Sequence, residues 1–402
     1  MTPTKSFTQW LQGLGLSTLL LCAVTEAHDP AAHTTQHKAS DLGSAVAMDA
    51  QGRLWLASKA TTADGEQLVL QSSDDQGRHW TTPQTVSHET VVASGDERPR
   101  IAFGAQGQIY LSYSHPLAAP HTSELRFLRS DDGGLHFSGA ITVHQNHDVI
   151  THGFASMAVD HAGRVFIAWI DKRDQQAARA NGTTYAGAAL YYAVSQDGGR
   201  SFKGDYKIAD HACECCRSAI ATDGAGQPLL LWRHVFAPNI RDHALTMLTP
   251  DGKPAAPQRA SFDNWTLDAC PHQGPALAIG EDSRRHQTWF SGNADGGGLF
   301  YASQNTDGAL GTPERLGSEQ AAHADVAVAG RHIALAWTQF NGSATELLSR
   351  NSYDGGATWT ERTLSSTTSD ADQPHLASGP RGIVLVWRSQ ESRIQTFTLE
   401  PT

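Results

Sequence analysis

Seven times along the chain, a short mixed segment runs into a glycine-bearing turn and then into a strongly apolar stretch. The units are Ser44 to Ser58, Arg98 to Ser114, Phe154 to Ile170, Arg217 to Arg233, Gly274 to Ser291, Asp325 to Thr338 and Pro374 to Arg388. Val165-Phe166-Ile167-Ala168-Trp169 and Ile383-Val384-Leu385-Val386-Trp387 are apolar throughout. Alternation is lost in such runs because both faces of the strand are covered. No segment of helical period has comparable strength beyond the N-terminal region. Repeated hairpins that bury both faces pack against one another radially. The pattern predicts an all-β chain, a six- or seven-bladed β-propeller with four-stranded antiparallel blades, and the unit count favours seven.

A second repeat punctuates the first. Ser73-Asp74-Asp75-Gln76-Gly77-Arg78-His79-Trp80 fits S-x-D-x-G-x-x-W, and Ser352 to Trp359 fits it again. Ser130 to Phe137 and Ser195 to Phe202 close on Phe instead. Degenerate relatives stand at Ser303 to Gly308 and Thr249 to Gly252. The chemistry is that of a hairpin turn. The Asp accepts from the turn's own N–H groups, the Gly permits positive φ, the Ser caps the strand, and the aromatic packs between sheets. The repeat resembles the Asp-box, or BNR, motif of sialidase-like propellers, and the likeness runs over most of the chain. It implies a fold rather than a site, since in that family the boxes lie on the outer rim. Sialidases have six blades, so the seven units here are a departure.

The N-terminus reads as a secretory signal over residues 1–27. Lys5 gives a weak positive start, Leu14 to Val24 is an apolar run too short for a comfortable membrane span, and Thr25-Glu26-Ala27 allows cleavage after Ala27. Leu21 before Cys22 is larger than lipoprotein cleavage tolerates. Residues 28–40 form a polar lead-in, and 41–402 the propeller. The expectation is a periplasmic or secreted protein with no transmembrane segment in the mature chain. A net charge of −11 argues against nucleic acid as a partner, because phosphate neutralisation needs clustered Lys and Arg.

In a propeller, the segments that precede the innermost strands converge on one mouth of the central channel. These approach segments are rich in chemistry here. They include Asp96-Glu97-Arg98, Thr151-His152-Gly153, Cys213-Glu214-Cys215-Cys216-Arg217, Cys270-Pro271-His272, His323 and His375. The four cysteines beyond Cys22 fall in two neighbouring segments. Thiolate and imidazole together suit copper or zinc, with soft thiolates tilting toward copper. The expected ligands are Cys213, Cys215, Cys216, Cys270 and His272, with His323 and His375 behind them. Glu97, Arg98, His152, Glu214, Arg217 and Arg388 are expected to orient ligands or meet substrate. The competing expectation is a bridge from Cys270 to one of the other three. The remaining two then pair only as near neighbours, which is strained geometry, or stay free. Cleavage after Ala27 gives His28 a free amine, and with His33 it offers a second chelate for Cu(II), or else a plain histidine-bearing tail.

The sialidase resemblance implies an arginine cluster for a carboxylate, a Tyr nucleophile with a Glu partner, and an Asp acid/base. The family's early Arg-Ile-Pro is missing from the first unit, where Asp41-Leu42-Gly43-Ser44 stands. Arg98-Pro99-Arg100-Ile101 is a loose echo, and no Tyr marks an approach segment. Three readings therefore stand side by side. They are a metal-handling propeller, an exo-sialidase or related glycoside hydrolase, and a non-catalytic propeller that recognises a glycan or another exported protein.

Overall fold

The computed structural model describes residues 42–400 except 64, 295 and 305–307. The signal, the lead-in and the His28/His33 chelate lie outside the described residues.

Each of the seven sequence units is the inner hairpin of one blade. The short segments form the innermost strands, Ser44–Met48, Arg100–Phe103, His152–Val159, Ala219–Thr222, Ala276–Ile279, Ala321–Ala329 and His375–Gly379. The apolar stretches form the second strands, Leu54–Thr62, Ile109–Pro116, Val165–Asp171, Pro228–Arg233, Arg285–Ser291, His332–Phe340 and Gly382–Ser389. Every innermost strand touches that of the next blade, and the first touches the last, which closes the ring. Six blades carry four antiparallel strands, and the seventh carries three among the described residues.

The second strands are apolar because neighbouring blades cover both of their faces. Phe166, Ala168 and Ile170 pack toward blade 4 with Leu230 and Trp232, while Val165, Ile167 and Trp169 pack toward blade 2 with Leu125 and Phe127. Trp169, Trp232, Trp289, Trp337 and Trp387 each stand on a second strand and are fully buried. Burying one such ring contributes about 2–3 kcal/mol, so interfaces between blades hold most of the apolar stabilisation.

The four repeat turns share one geometry, each joining the third strand of its blade to the fourth. Ser130 Oγ donates to Asp132 Oδ1 at 2.8 Å and accepts from the Gly134 N–H at 2.9 Å. The His136 N–H donates to the same Asp132 oxygen at 3.0 Å. The turns at Ser73, Ser195 and Ser352 repeat these bonds. Their closing aromatics, Trp80, Phe137, Phe202 and Trp359, pack into the cores between blades.

One helix among the described residues, Arg173–Ala180, follows the second strand of blade 3. The hydrophobic pattern does not reveal it, because only Gln175 of its residues is buried. No helix among the described residues is long and apolar enough to cross a membrane.

Candidate functional site

The ends of the innermost strands furthest from the approach segments line an open cavity of about 410 Å³. Most of its lining residues are apolar, among them Phe103, Val159, Ile220, Leu277, Val328 and Leu376, and the polar side chains among them are the hydroxyls of Thr222 and Ser378. No charged, histidine or cysteine side chain is among these lining residues. The approach side carries such groups, in two adjoining parts.

The first part is a buried polar plug on the axis. Arg217 Nη1 donates to Asp96 Oδ1 at 2.6 Å and to Gln373 Oε1 at 2.7 Å. Asp96 also accepts from the Gly274 N–H at 2.9 Å and from Gln373 Nε2 at 3.0 Å. Segments from around the ring therefore meet on one carboxylate. Burial acts most strongly on Asp96 and pushes its carboxyl up. The charges of Arg217, His323 and Arg98 and the Gln373 hydrogen bond overcome that push and bring it down to about 2.

Several expected site residues belong to this plug. Arg98 donates to the Gly95 carbonyl and meets His375 Nε2. Burial, then the surrounding arginines, push His375 well below the usual histidine range, so its ring is neutral and can accept from Arg98. The His323 N–H donates to Gln273 Oε1 at 3.2 Å. Glu97 accepts the Phe154 N–H on both carboxylate oxygens, each at 2.9 Å, and burial raises its pKa. Arg388 Nη1 donates to the Leu42 carbonyl at 2.9 Å. His152 lies apart inside blade 3, with Nδ1 2.9 Å from Asp171 Oδ2 and its ring stacked 3.9 Å from that of His144.

The second part is a thiol cluster between blades 3 and 4. The fourth strand of blade 3, Lys203–Ala212, is pulled against the end of the Pro228–Arg233 strand. The Cys213 N–H donates to the Arg233 carbonyl at 2.9 Å, and the Val235 N–H to the His211 carbonyl at 2.7 Å. A turn at 214–216 then folds Cys215 and Cys216 back over Cys213. Cys213 Sγ lies 3.2 Å from Cys216 Sγ and 3.7 Å from Cys215 Sγ. The three sulfurs lie within 4.8 Å of one another and are buried. Cys270, exposed on the loop before blade 5, interacts through its thiol with Cys215.

Hydrogen bonds with Cys215 and Cys216, aided by the charge of Arg233, hold Cys213 well below the usual thiol range. Hydrogen bonds with Cys213, then Cys216 and Cys270, push Cys215 up, and burial raises Cys216. The hydrogen bond with Cys215 lowers Cys270. Arg233 is almost completely buried, and its hydrogen bonds go to the carbonyls of Arg241, Gln273 and Phe290. Its charge reaches both Cys213 and Cys216. Glu214 turns outward to Lys172 Nζ at 2.9 Å and to Gln175 Nε2 at 3.4 Å, so the helix segment covers the turn.

The structure thus brings Cys213, Cys215 and Cys216 together with Cys270 beside them. His323 and His375 sit in the plug, and His272 is exposed with a positive φ of 51°. None of these three rings is in the compact sulfur group. Asp96 and Gln373 stand in approach segments without an expected role in the site. Arg233 carried one signal, as a lone cation ending an otherwise apolar strand.

No protein-family model matches the chain, and no curated protein matches it. Among solved structures, an ulvan lyase of a polysaccharide lyase family aligns with a TM-score of 0.56 at 12% identity, covering 90% of this chain and 94% of that one. An α-L-arabinanase from Penicillium chrysogenum, complexed with arabinobiose, aligns at 0.51 and 13%, covering 74% and 88%. A protein of unknown function from Dyadobacter fermentans aligns at 0.53 and 13%, covering 78% and 94%. At these identities the likeness is one of fold. The chain is a seven-bladed propeller similar in backbone to glycan-active ones.

Proposed function

We propose that this protein binds a soft metal ion, copper(I) or zinc(II), through the thiolates of Cys213, Cys215 and Cys216, with Cys270 as a fourth ligand. The observation that carries the reading is three buried sulfurs within 4.8 Å of one another. Tetrahedral zinc thiolates have Zn–S near 2.3 Å, which sets sulfurs about 3.8 Å apart. The Cys213–Cys215 separation of 3.7 Å already fits, and the Cys213–Cys216 separation of 3.2 Å has only to open slightly. Three or four thiolates around such an ion leave a net negative complex, and the charge of the buried Arg233 guanidinium, which reaches Cys213 and Cys216, offsets part of it. A ligand set of sulfur alone tilts the choice toward copper(I), with zinc next.

Metal handling, meaning storage, delivery or uptake, suits a buried site better than catalysis does. A catalytic ion keeps an open position for substrate, whereas here three sulfurs are buried and Cys270 takes the fourth position from the exposed side. The N-terminal segment is read as a secretory signal, and in the oxidising compartment that this reading implies a bound ion keeps neighbouring thiols from oxidation. A glycan-directed role is the weaker reading. It rests on backbone likeness, and Arg98 and Arg217 commit their guanidinium groups to protein partners.

Metal analysis of the purified protein tests the proposal. We expect about one copper or zinc per chain by the stoichiometry of a single thiolate site. That metal is lost in Cys215→Ser/Cys216→Ser. No bound ion after loading with either metal under reducing conditions overturns it.

A further inference from the structure

Four sulfurs in one place can also exchange electrons, and their arrangement is asymmetric. Cys213, Cys215 and Cys216 are 1%, 5% and 2% exposed, whereas Cys270 is exposed. Cys215 Sγ lies 3.7 Å from Cys213 Sγ and within 4.8 Å of Cys216 Sγ, and it is the thiol with which Cys270 interacts, so it links the exterior thiol to the interior. Within the buried group, Cys213 and Cys216 have the shortest separation, 3.2 Å, against 3.7 Å for Cys213 and Cys215. Adjacent Cys215 and Cys216 are poor partners for each other, because a bridge between neighbours in sequence is strained.

We propose that these thiols form a disulfide relay that opens to solvent at Cys270 and ends in two bridges, Cys213–Cys216 and Cys215–Cys270. The co-reactant is a small-molecule or protein disulfide. The Cys270 sulfur attacks it, forming a mixed disulfide and releasing one thiol. Cys215 then attacks Cys270 and expels the second thiol, closing Cys215–Cys270. Inside, Cys213 displaces Cys270 from Cys215, and Cys216 displaces Cys215 from Cys213, which leaves Cys213–Cys216 bridged and the other two reduced. A second external disulfide repeats the outer steps. Four protein thiols and two disulfides thus become two protein bridges and four released thiols, with each attacking thiol's proton passing to the leaving sulfur. The relay itself needs no ion. Only its consequence, expulsion of a bound metal once every ligand is oxidised, rests on the metal reading.

The test uses the reduced, metal-free full chain with excess hydroxyethyl disulfide, acid quenching, and fragmentation of the linked peptides. The proposal expects all four thiols to disappear into those two pairs. It also expects Cys270→Ser to slow oxidation of the buried three at least about ten-fold, through loss of the accessible thiol. Wild-type protein alkylated at Cys270 alone by limiting iodoacetamide should behave likewise, which separates access from any folding defect. Different pairs, or buried thiols that oxidise at the wild-type rate without Cys270, overturn the relay. Because no metal is present, this result and the loading experiment fail independently.

Discussion

Replacing Arg217 with Met asks whether charge holds the centre of the propeller. Asp96 is buried with its side chain wholly out of solvent, and Arg217 Nη1 is 2.6 Å away. The carboxyl lies near 2 instead of the ordinary 3.8 although burial pushes it upward, with Arg217 the largest of the charges opposing burial. A carboxyl depressed on folding stabilises the native state above its unfolded value, and that contribution is lost as pH falls from about 3.8 toward 2. The depression corresponds to about 2 kcal/mol. Removing the cation does more than cancel it, since burial is then opposed only by the weaker pull of His323, Arg98 and the hydrogen bonds from Gln373 and Gly274. Breaking a buried pair on one side costs about 3–5 kcal/mol. In the variant, the folded-state carboxyl rises above its unfolded value, so its penalty is full at neutral pH and fades as pH drops and Asp96 protonates. Urea unfolding followed by tryptophan fluorescence at pH 7 and pH 4 measures both effects. The loss should be about 3–5 kcal/mol at pH 7 and smaller at pH 4. A loss below about 1 kcal/mol, the range of an exposed ion pair, or one that grows on acidification, refutes the reasoning.

Three further outcomes follow from other parts of the molecule. Ser130→Ala removes a buried hydroxyl that both donates to Asp132 and accepts from Gly134, and should cost about 1–2 kcal/mol in denaturant unfolding. Gly199 has φ of +79°, and a Cβ there meets the Phe127 ring at 2.6 Å, so Gly199→Ala should destabilise by more than the roughly 1 kcal/mol of the backbone term, read as a lower melting temperature. Arg233→Met leaves every thiol in place but removes the buried charge beside Cys213 and Cys216. Competition with a chelator should show metal affinity lowered about ten-fold or more at unchanged stoichiometry.

The blades were legible in the chain because two-faced burial leaves a strong local mark. Val165 to Trp169 and Ile383 to Trp387 read as covered strands, and they are. The meeting of Cys213, Cys215 and Cys216 was legible from spacing, and the nearness of Cys270 from the register of neighbouring approach segments. The histidines were not, because side-chain direction at a strand's start depends on backbone turns that leave little trace in composition. His272 and His323 have φ of 51° and 57°, and so does Phe154, at 54°. Register shifts fall between Ala322 and Asp325 in blade 6 and beside Gly153 in blade 3. Each of these swings a side chain away from the alternation that a regular strand imposes. The place of His375 is illegible for another reason. Its ring meets Arg98, a partner 277 positions away in sequence.

X-ray absorption on the metal-loaded full chain tests the central claim most directly. The account predicts a first shell of three or four sulfurs at about 2.3 Å for zinc, and an all-sulfur shell likewise for copper(I). A first shell dominated by nitrogen or oxygen would place the ion elsewhere, and the buried thiols would then not be its ligands.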